Sequence, residues 1–333
     1  MDERDEAFAN SVGSVVAVGG GTGLGGVLRG LKQRVASGRL AAVVTVTDDG
    51  GSSGRLRRDF GVLPPGDIRN CIVALADDED LLARLFQYRF ANGGGLSGHS
   101  FGNLFLTALT GITGDFYKAI STAESILSVR GHILPATLTD VRLRGLGHSG
   151  SVYEGESAIG TSGERLAALK LEPAAPAAFP AAVEALESAD LIVLGPGSLY
   201  TSILPNLLIP GIQAAIRRSR ARVVLPLNLM TQPGETDGMM GLDHLNALDQ
   251  LVGPDLVDTV VVNATPPPPE LLEHYAETGS HPVTAEPEPL RTRGVEVIAA
   301  DLLAPGDLIR HDPLKLADAV LSAVPAKHQG VAR

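Results

Sequence analysis

Apolar residues come in short blocks along this chain, separated by glycine-rich and polar segments. Ser14 to Val18 and Ala41 to Thr47 (AAVVTVT) are β-rich apolar runs without polar alternation. That is the pattern of parallel strands covered on both faces. A glycine-rich loop and a helix to about Val35 lie between them, so the first third predicts a βαβ unit with a right-handed crossover. Helices are expected at Asp67–Ala76, Leu81–Phe90, Phe101–Thr110 and Asp115–Val129. A strand-like patch follows, His132–Thr137, Val141–Leu146 and Ser151–Ile159, with Gly- and Ser-rich turns that predict antiparallel hairpins. The α/β rhythm then returns with strands at Leu191–Leu194, Val223–Leu227, Val257–Val262 and Val295–Ala299. Helices are expected at Pro210–Arg217, Leu242–Leu251, Pro269–Ala276 and Pro313–Val324.

The expected fold is therefore α/β: a Rossmann-like, mostly parallel sheet with helices on both faces and a small antiparallel hairpin insertion at 131–172. Residues 13–325 are expected as one domain, with a disordered tail at 1–12 and a frayed one at 326–333. The Ala/Pro-rich stretch Pro173–Pro180 is the strongest candidate for an internal boundary.

Composition narrows the classes. The chain has 333 residues, 44% of them apolar, which suffices for a large core. Aromatics are only 4% and Trp is absent, so that core must be aliphatic. A net charge of −11 argues against sequence-blind nucleic-acid binding, which rests on Lys and Arg. Arg55, Arg57 and Arg58 form a local basic cluster all the same. Cys71 is the one cysteine, which excludes an intrachain disulfide and a cysteine-based zinc site and fits a reducing compartment. The opening Met1-Asp2-Glu3-Arg4-Asp5-Glu6 lacks the basic start and apolar core of a signal peptide. No apolar run approaches the roughly 18 residues of a membrane span. A soluble, cytoplasmic protein without membrane insertion is expected.

The first loop carries the strongest chemical signal. Gly21, Gly23 and Gly26 satisfy G-x-G-x-x-G between a strand and a helix, the context in which the pattern has weight. Glycine lets backbone approach a phosphate, and the helix N-terminus adds unpaired N–H donors and about half a positive charge. No G-x-x-x-x-G-K-[ST] is present, so this is not a Walker-type loop. The second strand ends in Thr47-Asp48-Asp49-Gly50-Gly51-Ser52-Ser53-Gly54-Arg55. One of its carboxylates could accept from ribose hydroxyls or hold Mg²⁺ against a phosphate. Ser52 and Arg55 add donors. In open α/β sheets, ligands sit beyond the carboxyl ends of strands, so both loops point to one crevice.

Three further segments could line it. Pro64-Pro65-Gly66-Asp67-Ile68-Arg69-Asn70 opens a helix with Asp67 near the capping position. In Gly98-His99-Ser100-Phe101-Gly102-Asn103, His99 and Asn103 are four apart and share a helix face. The Gly93–Gly95 run in front suggests a moving loop. Gly195-Pro196-Gly197-Ser198 again follows a strand, and its amides could make a second anion site. Asn228 to Gly238 is another polar strand exit. No Ser-His-Asp arrangement and no H-E-x-x-H helix can be read.

Taken together, VGGGTGLGG, VTVTDDGGSSGRLR, PPGDIRNCIVAL, GHSFGNLFLTAL, LGPGSLYTSILPNLL and NLMTQPGETDG resemble the YvcK branch of the YvcK/CofD-like family, the gluconeogenesis factors. The match runs in order from Val15 to His311-Asp312-Pro313. The resemblance implies a Rossmann-like fold and a cytoplasmic location. It also implies binding of UDP-sugars such as UDP-N-acetylglucosamine, and a role in cell shape and cell-wall synthesis during gluconeogenic growth. It assigns phosphate contacts to Gly20, Gly21, Thr22, Gly23 and Leu24, and places Asp48, Asp49, Ser52 and Arg55 in the same crevice with Asp67 and Asn70 close by. His99, Asn103, Gly197, Ser198 and Asn228 are its further candidates. Gly25 stands where the family's loop usually has Ser, which alters one hydroxyl contact and leaves the backbone donors. The CofD branch implies instead a Mg²⁺-dependent 2-phospho-L-lactate transferase, with Asp49 as the candidate metal ligand. A regulator would also need a protein partner, which the sequence does not name, and chains of this type pair through exposed helices, so a homo-oligomer is expected. An NAD-dependent dehydrogenase is permitted by the fingerprint but disfavoured by the DDGGSSG segment.

Overall fold

The structure, a computed structural model, describes residues 13–77 and 79–324. The expected tails at 1–12 and 326–333 lie outside the described residues.

Seven strands form one sheet: β1 Val15–Gly19, β2 Leu40–Val44, β3 His132–Pro135, β7 Leu191–Leu194, β8 Arg222–Pro226, β9 Thr259–Asn263 and β10 Glu296–Ala300. Their order is β10-β9-β8-β7-β1-β2-β3, and every neighbouring pair is parallel. The adjacent strands β7, β1 and β2 are buried at every position. This explains their unbroken Val, Ile, Leu and Ala runs: both faces are covered, so no position is left for a polar residue. The chain winds outward one way from β1 through β2 to β3, then returns to β7 and winds the other way. The order therefore reverses between β1 and β7, and their carboxyl ends are where sheets of this kind place a ligand crevice.

The other three strands, β4 Arg142–Gly147, β5 Val152–Glu154 and β6 Leu166–Glu172, make a small antiparallel sheet ordered β5-β4-β6. Three expectations are corrected here. His132–Thr137 does not belong to the hairpins: His132–Pro135 pairs in parallel with Ala41–Val44 as the edge of the main sheet. Ser151–Ile159 is not one strand, because Gly155 at φ 91° breaks it and Glu156–Ile159 turns into a short helix. The third hairpin strand is β6, at 166–172. The stretch Pro173–Pro180 runs back against the main sheet, where Phe179 N donates to the Ala136 carbonyl and Thr137 Oγ1 to that of Ala177.

Most helices fall where periodicity placed them, including Gly66–Leu75, Phe101–Thr113, Phe116–Ile126 and Pro313–Leu321. One was missed. Gly51–Phe60 is a helix, not an extended strand exit, and β2 ends at Val44. Its opening Gly-Ser-Ser-Gly has poor intrinsic helix propensity. Packing supplies what propensity lacks, since Ser52, Ser53, Gly54, Leu56 and Arg57 are all buried. Among the described residues no single helix is long and apolar enough to cross a membrane.

Candidate functional site

The loop after β1 turns directly into the helix Gly21–Leu31. Gly20 is extended and, as glycine, has no side chain with which to cap the helix. Its first-turn amides therefore have no intrahelical acceptor. Gly21 adopts φ 65°, which glycine accepts without strain. Gly20 has no room for a side chain: a Cβ there would lie 2.5 Å from Asp67 Oδ2 and 2.7 Å from Thr45 Cγ2. On the other side, a Cβ on Gly23 would lie 2.4 Å from the Pro196 carbonyl oxygen. The loops after β1 and β7 thus meet backbone to backbone at the switch point. Thr22 is exposed, and the Leu24 side chain is fully buried and anchors the helix.

Carboxylates gather beside this loop. Asp67 does not cap its own helix, whose N-cap is Pro65. It reaches across to accept the Gly21 amide. Burial, with Asp48 close by, pushes its carboxyl up to about 7. Asp48 Oδ1 accepts the Gly50 amide at 2.9 Å, and a Cβ on Gly66 would come within 2.6 Å of its Oδ2. Glu156, carried by the short helix of the insertion, enters the same cluster. Its Oε2 accepts from Thr47 Oγ1 at 3.2 Å, and burial together with Asp67 and Asp48 holds its carboxyl well above the usual range. Asp49 points away from this group. Its Oδ1 accepts from Ser157 N at 2.9 Å and Oγ at 2.8 Å, pinning the insertion to the rim. Adjacent side chains on extended backbone point opposite ways, which separates Asp48 from Asp49. Among the described residues, no three His, Cys, Asp or Glu side chains are arranged to hold a metal ion.

The helix Gly51–Phe60 brings its serines to the crevice. Ser52 Oγ lies 3.0 Å from His99 Nδ1, and Asn103 Nδ2 donates to Ser53 Oγ at 3.3 Å. His99 and Asn103 thus act as a pair, as their spacing suggested, with the serines as their partners. Burial and the neighbouring Arg55 lower the His99 pKa and favour the neutral ring. The buried Asn103 Oδ1 has no partner. Arg69 donates to Ser100 Oγ and Asn70 Oδ1, both at 2.8 Å, which orients Asn70. The basic cluster is dispersed around its helix. Arg55 is half-buried beside Gly98, Arg57 is buried on the Val141 carbonyl and Asp140, and Arg58 is exposed.

In the loop after β7, side chains accept the amides of Gly197, Tyr200 and Thr201. Gly197 N donates to Asn228 Oδ1 at 3.2 Å, and Asn228 Nδ2 returns to the Gly197 carbonyl at 2.9 Å. Gln232 Nε2 donates to Ser198 Oγ at 2.7 Å. The amides of Tyr200 and Thr201 both donate to Glu235 Oε1, at 2.7 and 3.2 Å. Glu235 is 6% exposed, and burial raises its carboxyl pKa against the pull of these amides. The anion expected at this helix start is a side chain of the chain itself.

Glu156 and Glu235 are residues that motif reading passed over. Glu156 lay inside an expected strand. Glu235 was one of two acids in a polar strand exit, and a buried acid cannot be told from an exposed one by type. Asn206 was also missed; fully buried, it donates through Nδ2 to the Gly19 carbonyl at 3.2 Å and ties the two loops together.

Comparison with known proteins agrees with this architecture. The family model for 2-phospho-L-lactate transferase CofD matches residues 15–303. A relative in Aquifex aeolicus is 50% identical over 314 residues, covering 92% of this chain and 95% of its own. The gluconeogenesis factor of Bacillus subtilis is 45% identical over 304 residues, covering 91% and 95%. A crystal structure of a Bacillus halodurans protein superposes with a TM-score of 0.89 at 45% identity, covering 93% of this chain and 99% of that one.

Proposed function

The chain belongs to the YvcK/CofD-like family, in the branch of the gluconeogenesis factors, and on that premise we propose that it is a cytoplasmic UDP-sugar-binding regulator of the UDP-N-acetylglucosamine type, serving cell shape and cell-wall synthesis during gluconeogenic growth. One observation carries the reading. The helix after β1 starts at the sheet's switch point with a glycine at its cap and a single amide, that of Gly21, held by Asp67, while at the matching start after β7 Glu235 holds two amides. A diphosphate fits the open end, because first-turn amides and the helix dipole favour an anion there. The ligand would regulate by binding two conformations unequally. The insertion pinned through Asp49 and Ser157 is the element placed to report its arrival.

A second reading is favoured by Asp48, Asp67 and Glu156 beside the loop. In it the protein transfers a group from a nucleoside-diphosphate-linked donor. A divalent cation would then neutralise the phosphate leaving group. Because the side chains alone do not form a metal site, Asp48 and the donor's own phosphates would have to supply the ligands.

Calorimetric titration with UDP-N-acetylglucosamine, with and without Mg²⁺ and with NAD as control, separates the two. Binding of the sugar nucleotide without metal supports the regulator. No binding, or a strict Mg²⁺ requirement with a guanylylated ligand preferred, moves the assignment to the transferase.

A further inference from the structure

The fold joins two side chains that stand 47 residues apart in the chain, Ser52 and His99. Ser52 Oγ lies 3.0 Å from His99 Nδ1, and both residues are buried. Burial first, then Arg55, lowers the His99 pKa against the pull of Asp59, so the ring is neutral at physiological pH. A neutral imidazole has one nitrogen free to accept a proton. A hydroxyl within hydrogen-bond reach of such a base is the arrangement of an activated nucleophile.

The surroundings favour an anion and a ligand. Ser52 is the second residue of the helix Gly51–Phe60, whose cap, Gly50, has no side chain. The first-turn amides have no acceptor within the helix, and the helix dipole favours negative charge beside them. Arg55 follows one turn later on the same helix face. Gly98, at φ 79°, leaves room for its guanidinium, since a Cβ there would lie 3.0 Å from Nη2. Asn103 donates through Nδ2 to Ser53 Oγ at 3.3 Å, while its Oδ1 is buried without a partner. A buried acceptor left unpaired costs about 1–3 kcal/mol, which a ligand hydroxyl would restore. The group is continuous with the crevice beside β1. A Cβ on Gly66 would lie 2.6 Å from both Ser53 Oγ and Asp48 Oδ2, and Asp48 neighbours Asp67.

We propose that Ser52 is a nucleophile, with His99 as its general base, and that the protein cleaves the nucleoside-diphosphate sugar it binds. The substrate, though not the nucleophile, rests on the ligand assigned above. Ser52 Oγ attacks the phosphorus distal to the nucleoside while His99 takes its proton. The bond from that phosphorus to the bridging oxygen breaks, and its electron pair leaves with the nucleoside monophosphate. The sugar phosphate remains as a diester on Ser52, and the imidazole releases its proton to solvent. Water then attacks the same phosphorus and gives a proton to His99. His99 passes it to Ser52 Oγ as the Oγ–P bond breaks. The products are a nucleoside monophosphate and a sugar phosphate. Charge that develops on the phosphoryl oxygens lies near the helix start and Arg55, donors already in place. A regulator that consumes its ligand in this way returns to its free state without waiting for dissociation.

Two reagents test this on the full chain. A fluorophosphonate reads the nucleophile without the sugar nucleotide: Ser52 should be esterified with loss of fluoride, located by mass spectrometry of the labelled peptide. Labelling should fall at least ~100-fold in Ser52→Ala and in His99→Ala. Added imidazole should restore part of it to His99→Ala, which a merely structural histidine would not allow. Circular dichroism checks that both variants fold, and labelling of the wild type stands without them. The second reagent is UDP-N-acetylglucosamine, with UMP release followed by ion-exchange chromatography. Wild type should release UMP, and Ser52→Ala at least ~100-fold more slowly. Labelling of Ser52 without UMP release upholds the nucleophile and counts against the assigned ligand. Absence of both labelling and release overturns the proposal, and calorimetric binding of the sugar nucleotide then decides the ligand reading separately. A Ser52→Ala variant that releases UMP at the wild-type rate also overturns it.

Discussion

The loops after β1 and β7 leave buried strands through glycine, turn at once towards a helix, and touch at Gly23 and Pro196. Their donors have opposite fates. After β1 the helix start is uncapped, and its one side-chain acceptor is Asp67, whose carboxyl burial pushes up to about 7. After β7, Asn228 and Glu235 hold Gly197, Tyr200 and Thr201. The second loop is the more completely tied by side chains, and the first is the one to which we assign the anion. A glycine-rich strand exit therefore does not by itself mark a ligand site; what matters is how many of its donors the fold supplies with a side-chain acceptor.

The largest expected effect falls on the closed loop. Glu235→Ala leaves two buried amides unpaired and should cost about 3–4 kcal/mol in chemical denaturation. Affinity for UDP-N-acetylglucosamine should change far less. If the variant instead loses binding and keeps its stability, the two loops have been assigned the wrong way round.

Next is the titration of Asp67. Its folded pKa lies above the unfolded value of 3.8, so the folded state holds the extra proton. Stability from this group is present at low pH and falls as pH rises from about 4 to about 7. Across that window the loss should approach about 3–4 kcal/mol. Asp67→Asn should flatten that part of the profile, measured as unfolding free energy against pH. Glu156 and Glu235, also raised by burial, keep a residual slope of the same sign. A ligand phosphate beside Asp67 should bind more tightly at pH 6 than at pH 8, and this difference should vanish in the variant.

The contact between the loops can be wedged apart. Gly23→Ala places a methyl 2.4 Å from the Pro196 carbonyl oxygen, and both partners are backbone. Sugar-nucleotide affinity should fall about 100-fold, equal to about 2.7 kcal/mol. Unchanged affinity would mean that the ligand does not use this end of the helix.

Asn228→Ala is the mildest change. It removes the reciprocal pair with Gly197 and should cost about 1–2 kcal/mol of stability. Its thermal midpoint should drop by a few degrees while binding persists.

Legibility in the sequence followed burial. Strands β1, β2 and β7 could be placed because burial on both faces forbids polar residues, so their apolar runs mark them unambiguously. The first loop could be placed because glycine is needed where backbone meets backbone. β3 was misplaced among the hairpins because an edge strand of four residues carries too little pattern to show which sheet it joins. The helix Gly51–Phe60 was hidden because its opening glycines and serines belong by propensity to a loop; only the space under Leu56 and Arg57 makes them helical.

The sequence by itself determined the class of fold, the switch-point crevice and the family, since these rest on local pattern and ordered motifs. Tertiary structure alone decided which donors are open, because Asp67, Glu156 and Glu235 reach their partners across the sheet. Asp67 lies 46 residues from the Gly21 amide, and Glu235 lies 35 from that of Tyr200. No rule of spacing relates residues so far apart. Only the packing of elements brings Asp67 to one amide of the first loop and Glu235 to two amides of the other.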